Sequence, residues 1–311
     1  MAIRNFNEDT LTAAVLQRLE KTPNPRLKAV MRSLVKHLHG FVREVRPTPD
    51  EWMQGIQFLT DTGHWCDEKR QEFILMSDTL GVSMLVDFIN YGKTKNATES
   101  TVLGPFYLEG APELPMGGDT AKPGTPGDPC IARGMIKGLN GKPVAGAIID
   151  IWEGAGDGLY DVQKPDGMNL RARFRTGADG KYWFKCICPV SYPVPNDGPV
   201  GKMLEATGRH PMRPGHLHFM IQAPGYEKLV THLFLRGDPY LDSDAVFGVK
   251  ESLICNFKKT PSGEYAVDYD FVLIPQGMAK KPRAAAKAKA AKRAKPKAKA
   301  VRKAKKGRAR R

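Results

Sequence analysis

The sequence predicts an α+β fold in three parts: a helical region over residues 1–100, an antiparallel β-sandwich over 101–278, and a basic tail over 279–311. Three observations predict it. Apolar residues recur at helical spacing in the first hundred residues. Short apolar runs bounded by Gly, Pro, Asn and Asp follow. From Ala279 onward Lys, Arg and Ala take over almost completely.

In 27–42 the apolar positions are Leu27, Val30, Met31, Leu34, Val35, Leu38, Phe41 and Val42. Their i, i+3, i+4, i+7 series puts one stripe on one face of a helix. Thr48-Pro49-Asp50-Glu51 reads as a helix start, with Thr as N-cap, Pro at the first position and Glu placed for a capping box. A further periodic stretch covers 67–90, where Gly81 weakens the case for one unbroken helix. Gly and Pro crowd 104–129, which predicts a loop-rich connection. Strands are predicted at 130–136, 145–152, 180–188, 216–223, 229–235 and 265–274. A long Pro/Gly-rich insertion, 189–215, interrupts them, and no internal repeat is present.

The net charge of +15 belongs to the tail. Residues 279–311 hold 17 of the 48 Lys and Arg and none of the 33 Asp and Glu, so the rest carries 31 basic against 33 acidic groups. A segment this polar cannot offset its ordering entropy by burial and is expected to be disordered in isolation. Its composition suits non-specific contact with nucleic acid or another polyanion, and it holds no aromatic residue to stack on bases. No apolar run approaches the roughly 18 residues that a membrane span needs. The N-terminus lacks a basic start followed by an apolar core. The five scattered cysteines fit reduced thiols and a cytoplasmic location.

His216-Leu217-His218 is the first candidate for chemistry. On a strand, residues i and i+2 share a face, so two imidazoles can converge on one ion. Alone, the pair is more often a polar strand face or two satisfied histidines. No HExxH, CxxC, His-x-Asp or His-x-Glu accompanies it, so further ligands must come from elsewhere. Tyr160 and Tyr192, in Gly- or Pro-rich loops after predicted strands, are suggestive; half-buried packing is the plain alternative for each.

The stretches LGPFY (103–107), DIWEGAGDGLYD, RTGADGKYWF, YPVPNDGPVGKML, RPGHLHF and GDPYLDSDAVFGVK together resemble the intradiol ring-cleavage dioxygenases. The resemblance spans about residues 5–275. It implies a helical N-terminal region that forms a homodimer and a β-sandwich catalytic domain holding one ferric ion, Fe(3+), per chain. The ligands it implies are Tyr160, Tyr192, His216 and His218, with Tyr192 leaving the metal and taking up a proton when a catechol-type substrate binds. Arg213 resembles the residue that stabilises negative charge on the ring. His232 stands where several catechol-cleaving members carry Gln, and is not assigned as a ligand. Hard phenolate oxygens suit a hard ferric ion, which must itself hold the phenols ionised.

The segments SDTLGVSMLVDFIN and GDPYLDSDAVFGVK look more like the branch that cleaves hydroxyquinol (benzene-1,2,4-triol), with the chlorocatechol and catechol enzymes as alternatives. By resemblance the substrate pocket draws on Leu80, Ser83, Val102, Leu103, Gly104, Pro105, Val194 and Pro195, besides Arg213. Ser83 is the expected partner for a third hydroxyl. The rival from another class is a non-catalytic β-sandwich binding module carrying a nucleic-acid-binding tail.

Overall fold

The computed structural model describes residues 5–92, 94–164 and 167–278; the predicted basic tail lies outside them. The helical region contains α1 (Leu11–Arg18), α2 (Pro25–Val45), α3 (Pro49–His64), α4 (Glu72–Thr79) and α5 (Val82–Asn90). The capping box at Thr48 forms as expected: Thr48 Oγ1 accepts from Glu51 N at 3.2 Å, and Glu51 Oε2 accepts from Thr48 N at 2.7 Å. The 67–90 stretch breaks at Gly81, whose φ of +72° a residue with a Cβ rarely adopts. No residue of α2 is buried, and its stripe stays outside: Leu27, Leu34, Leu38 and Phe41 are 51%, 47%, 52% and 61% exposed.

After residue 100 the chain turns to strands. One five-stranded sheet joins β1 (Pro129–Gly138), β4 (Lys181–Ile187), β10 (Lys258–Lys259), β11 (Tyr265–Asp268) and β12 (Phe271–Leu273). A second runs in the order β3 (Arg171–Arg175), β2 (Ile148–Trp152), β7 (His216–Gln222), β8 (Leu229–Leu235), β9 (Ile254–Cys255). A small ribbon pairs β5 (Tyr192–Pro193) with β6 (Met212–Arg213). Alternate residues of both large sheets meet in one buried cluster, with Ala132, Phe184 and Phe271 from the first and Ile149, Phe174 and Phe219 from the second. The strands are not all antiparallel: β1 pairs in parallel with β11 and β12, and β8 with β9. β10 and β11 form an antiparallel hairpin, while β11 and β12 return alongside the first strand.

Other differences from expectation are local. The 265–274 run divides into β11 and β12. A short helix, α6 (Pro199–Ala206), sits inside the 189–215 insertion, with Pro at its first turn and Val200 and Leu204 buried. β3 has no counterpart in the sequence reading. Polar ties join α4 and α5 to the segments between the later strands. Asp87 of α5 pairs with Lys250 at 3.0 Å, and Glu72 of α4 accepts from Val200 N at 3.1 Å. All five cysteines are free thiols, four of them buried, and burial pushes the Cys188 thiol up to about 12. Among the described residues no helix is long and apolar enough to cross a membrane.

Candidate metal centre

The outer face of the second sheet carries the histidine pair. His216 and His218 alternate with Leu217 and Phe219, which point into the shared core. β2 lies beside β7 with Trp152 opposite His218, and their rings stack at 4.6 Å. Two tyrosines come from the loops above. Tyr160 follows the turn after β2, where its backbone N donates to Gln163 Oε1 at 2.9 Å. Tyr192 lies on β5, opposite Arg213.

The four side-chain tips converge. Tyr160 Oη lies 3.1 Å from Tyr192 Oη and 2.9 Å from His218 Nε2. Tyr192 Oη lies 3.4 Å from His216 Nε2, and the two Nε2 atoms are 3.0 Å apart. All four residues are at least 97% buried. Donor atoms held about 2 Å from a common ion sit about 3 Å from one another, so these spacings match a coordination shell.

The protonation states fit as well. His216 Nδ1 donates to Pro214 O at 2.7 Å, which leaves its Nε2 lone pair facing the cluster. Burial pushes both imidazoles well below their usual pKa, and the Arg213 charge adds to this, so both are neutral donors. Burial also raises both phenols, Tyr160 strongly. Without a cation they are protonated; a highly charged ion at the focus reverses that balance. The donor set, two phenol oxygens and two neutral imidazoles, fits a hard trivalent metal.

Arg213 borders the cluster and is 1% exposed. Its Nη1 lies 3.2 Å from His216 Nε2 and 3.5 Å from Tyr192 Oη. Asp244 holds it from behind at 3.0 and 3.3 Å. The Asp244 carboxylate also accepts from Val246 N and Gly248 N, so this buried charge is countered and fixed. His232, opposite His218 on β8, is fully buried. Its nitrogens lie close enough to group with those of His216 and His218, within 4.8 Å. Its ring, however, stacks on His216 at 4.6 Å and 18°. His232 thus packs beside the set, against the rings of both His216 and His218.

The expected pocket residues divide between two cavities. One, of about 450 Å³, takes Ser83, Val102, Leu103 and Gly104, together with Ser77 and Asp78. The other, of about 590 Å³, takes Pro105, Val194 and Pro195, together with Phe106 and Leu159. Val102 and Val194 also share one buried cluster with Leu75 and Val246. Leu80 lines neither cavity; it ends α4 and is 54% exposed. Gly104 has φ +80°, and a Cβ there would lie 3.3 Å from His218 Cε1, so the chain skirts the cluster closely.

Sequence reasoning missed Asp78. Its carboxyl is 1% exposed, its Oδ2 has no hydrogen-bond partner, and it lines the Ser83 cavity. Burial pushes its pKa up to about 6, against the pull of the Ser83 hydroxyl and Arg213. An acid inside the apolar stretch EFILMSDTLGV was the available signal.

Residues 102–275 match the family described as Dioxygenase, and residues 24–98 the family described as Catechol dioxygenase N terminus. The chain belongs to the intradiol ring-cleavage dioxygenases. It is 54% identical to the 6-chlorohydroxyquinol 1,2-dioxygenase of Cupriavidus pinatubonensis, over 88% of this chain and 99% of that one. It is 48% identical to a hydroxyquinol 1,2-dioxygenase of a Rhizobium species, over 86% and 96%. Among solved structures, a hydroxyquinol 1,2-dioxygenase from Pseudomonas putida superposes with a TM-score of 0.79 at 49% identity, covering 86% of this chain and 99% of that one. This dioxygenase is therefore an enzyme, and the non-catalytic binding-module reading fails. Intradiol dioxygenases cleave catechol-type rings with dioxygen and use non-haem iron, and the buried His216, His218 and His232 form a cluster that could hold a metal ion.

Proposed function

We propose that this dioxygenase cleaves hydroxyquinol between its adjacent hydroxyls, giving 3-hydroxymuconate, the enol form of maleylacetate. One ferric ion per chain is held by Tyr160, Tyr192, His216 and His218. The convergence of those four donor atoms at 2.9–3.4 Å carries the metal reading. Iron(III) held there would keep the phenols ionised and supply the Lewis-acid centre for a catechol-type substrate and dioxygen. Tyr192 Oη takes the proton that a substrate hydroxyl gives up on binding. The Arg213 guanidinium, always charged and held by Asp244, offsets negative charge on the ring.

The substrate assignment rests on two supports. Relatives at about half identity bear the names hydroxyquinol and 6-chlorohydroxyquinol 1,2-dioxygenase. Within the Ser83 cavity, the unpartnered Asp78 Oδ2 is an acceptor for a third hydroxyl. Such a group leaves an analogue lacking that hydroxyl at a disadvantage. Catechol and chlorocatechols are the alternative substrates.

Residues 1–100 form the dimerisation region and 101–278 the β-sandwich catalytic domain of a cytoplasmic homodimer. The matched segments 24–98 and 102–275 and the outward stripe of α2 support this. Residues 279–311 form an appendage that contacts nucleic acid or another polyanion through charge alone. The Cupriavidus enzyme is matched over 99% of its length by 88% of this chain, so a full-length relative exists without such a tail. The deciding experiment is the visible spectrum of concentrated protein with and without hydroxyquinol. A tyrosinate-to-iron band that shifts on adding the triol is expected; a colourless, fully active protein overturns the reading.

A further inference from the structure

We infer that Arg171 is a positioning residue that fixes Tyr160 as the permanent phenol of the centre while Tyr192 remains free to leave. This rests on reading both tyrosines as ferric ligands. Arg171 opens β3 and is 3% exposed. Its Nε and Nη2 donate to the two carboxylate oxygens of Asp161 at 2.9 and 2.5 Å. Asp161 is the residue immediately after Tyr160. Its carboxylate also accepts from Val162 N at 2.9 Å and Asn169 N at 3.2 Å, so four donors hold it in place.

The same guanidinium makes a second hold. Arg171 Nη2 donates to Phe106 O at 3.0 Å. The Phe106 ring stacks on the Tyr160 ring at 4.3 Å and 24°. One side chain thus secures both the backbone next to Tyr160 and the plate on which its ring rests. A third link runs along the sheet: Arg171 lies opposite Trp152, which stacks on His218.

Tyr192 is held differently: Ser191 before it donates to Asp238 at 2.8 Å, but no arginine fork grips its neighbour and no ring is stacked parallel on its own. It lies on a two-residue strand, and its hydroxyl meets only cluster members and Arg213 at 3.5 Å. The residues after it, Pro193 to Asp197, line the larger cavity. A buried ion pair such as Arg171–Asp161 is a poor source of stability compared with apolar packing. Its planar fork does fix geometry in a way a lysine cannot. Partners behind a metal ligand typically matter by about 10–100-fold in metal affinity or activity.

The test compares iron-loaded wild type, Arg171→Lys and Phe106→Leu. The readouts are the tyrosinate-to-iron band, the half-time of iron release to a chelator, and kcat and KM separately. Arg171→Lys is expected to shift the band, release iron about 10–100-fold faster and lower kcat with little change in KM. A folded Arg171→Lys protein with the wild-type band and release rate overturns the Arg171 inference alone. If that variant does not fold, Phe106→Leu decides: a shifted band and faster release support the inference, and wild-type behaviour overturns it. A wild type without the band, or a Tyr160→Phe protein with the band unchanged, overturns the ligand assignment and the inference with it.

Discussion

The helical region and the sheet region break opposite rules. On α2 large apolar side chains face out; around His216 and Tyr160 polar side chains face in. Exposed apolar surface forgoes about 25 cal/mol per Å² of burial. Buried polar groups without outside partners cost about 1–3 kcal/mol each. Neither arrangement suits a chain that folds only for its own stability. Each makes sense once the proposed partner is supplied: a second copy of the chain for the stripe, and a cation for the cluster. The difference lies in what identifies the partner. An apolar stripe accepts any complementary apolar face, whereas four donors about 3 Å apart specify the size and charge of what they hold.

The most severe way to break this comparison is Tyr160→Phe. Loss of the phenol is expected to remove the visible band and lower kcat/KM by about 1000-fold, about 4 kcal/mol of barrier. Metal analysis and steady-state rates check it. The matching experiment on the helices is the double substitution Leu34→Glu and Leu38→Glu. These residues are 47% and 52% exposed within one chain, so its fold should survive. Light scattering should show a dimer become a monomer at micromolar concentration; a wild-type monomer would remove the dimer proposal.

A finer effect belongs to Asp78. Asp78→Asn is expected to lower kcat/KM for hydroxyquinol about tenfold while sparing catechol, about 1.4 kcal/mol of discrimination. The Asp78 carboxyl is raised to about 6, so it is charged above that pH and protonated below. The wild-type preference for hydroxyquinol should therefore decline as pH falls through about 6, and the Asn variant should show no such decline. The sign for stability is separate. A raised acid favours the folded state most below its unfolded value and contributes less as pH rises through about 6. The smallest effect on catalysis is expected from truncation after Met278. Rates and iron content should stay unchanged while retention on a heparin column disappears, because only the charged appendage is lost.

Much of this contrast was legible in the residues. The α2 stripe and the Thr48 capping box are local signals, and both helices formed where they pointed. The histidine pair carried its own geometry, because two residues apart on a strand means one face. Tyr160 and Tyr192 were suggestive from their loops and became ligand candidates only through resemblance, since neither loop encodes its approach to β7 in any periodicity. β3 escaped because Arg171, Arg173 and Arg175 present a polar face that hides the buried Ala172 and Phe174. Asp78 stood out as an acid in an apolar stretch, but its burial beside Ser83 is decided by tertiary packing. Leu80 was drawn to the pocket by resemblance; it caps α4 just before the turn at Gly81 and is 54% exposed. The parallel pairing of the C-terminal strands depends on contacts between distant segments and leaves no local trace.

That pairing also orders the birth of the molecule. Cys130 of β1 sits beside Tyr265 of β11, 135 residues later, whereas β7 and β8 are joined by a short connection. Loop closure over so long a span is slow. A chain emerging from the ribosome can form the β7–β8 hairpin, with His216, His218 and His232, before its first strand has its last neighbours. The Phe271–Leu273 strand then acts as a clasp, so the histidine strands take shape in a nascent chain whose first sheet is still unsealed.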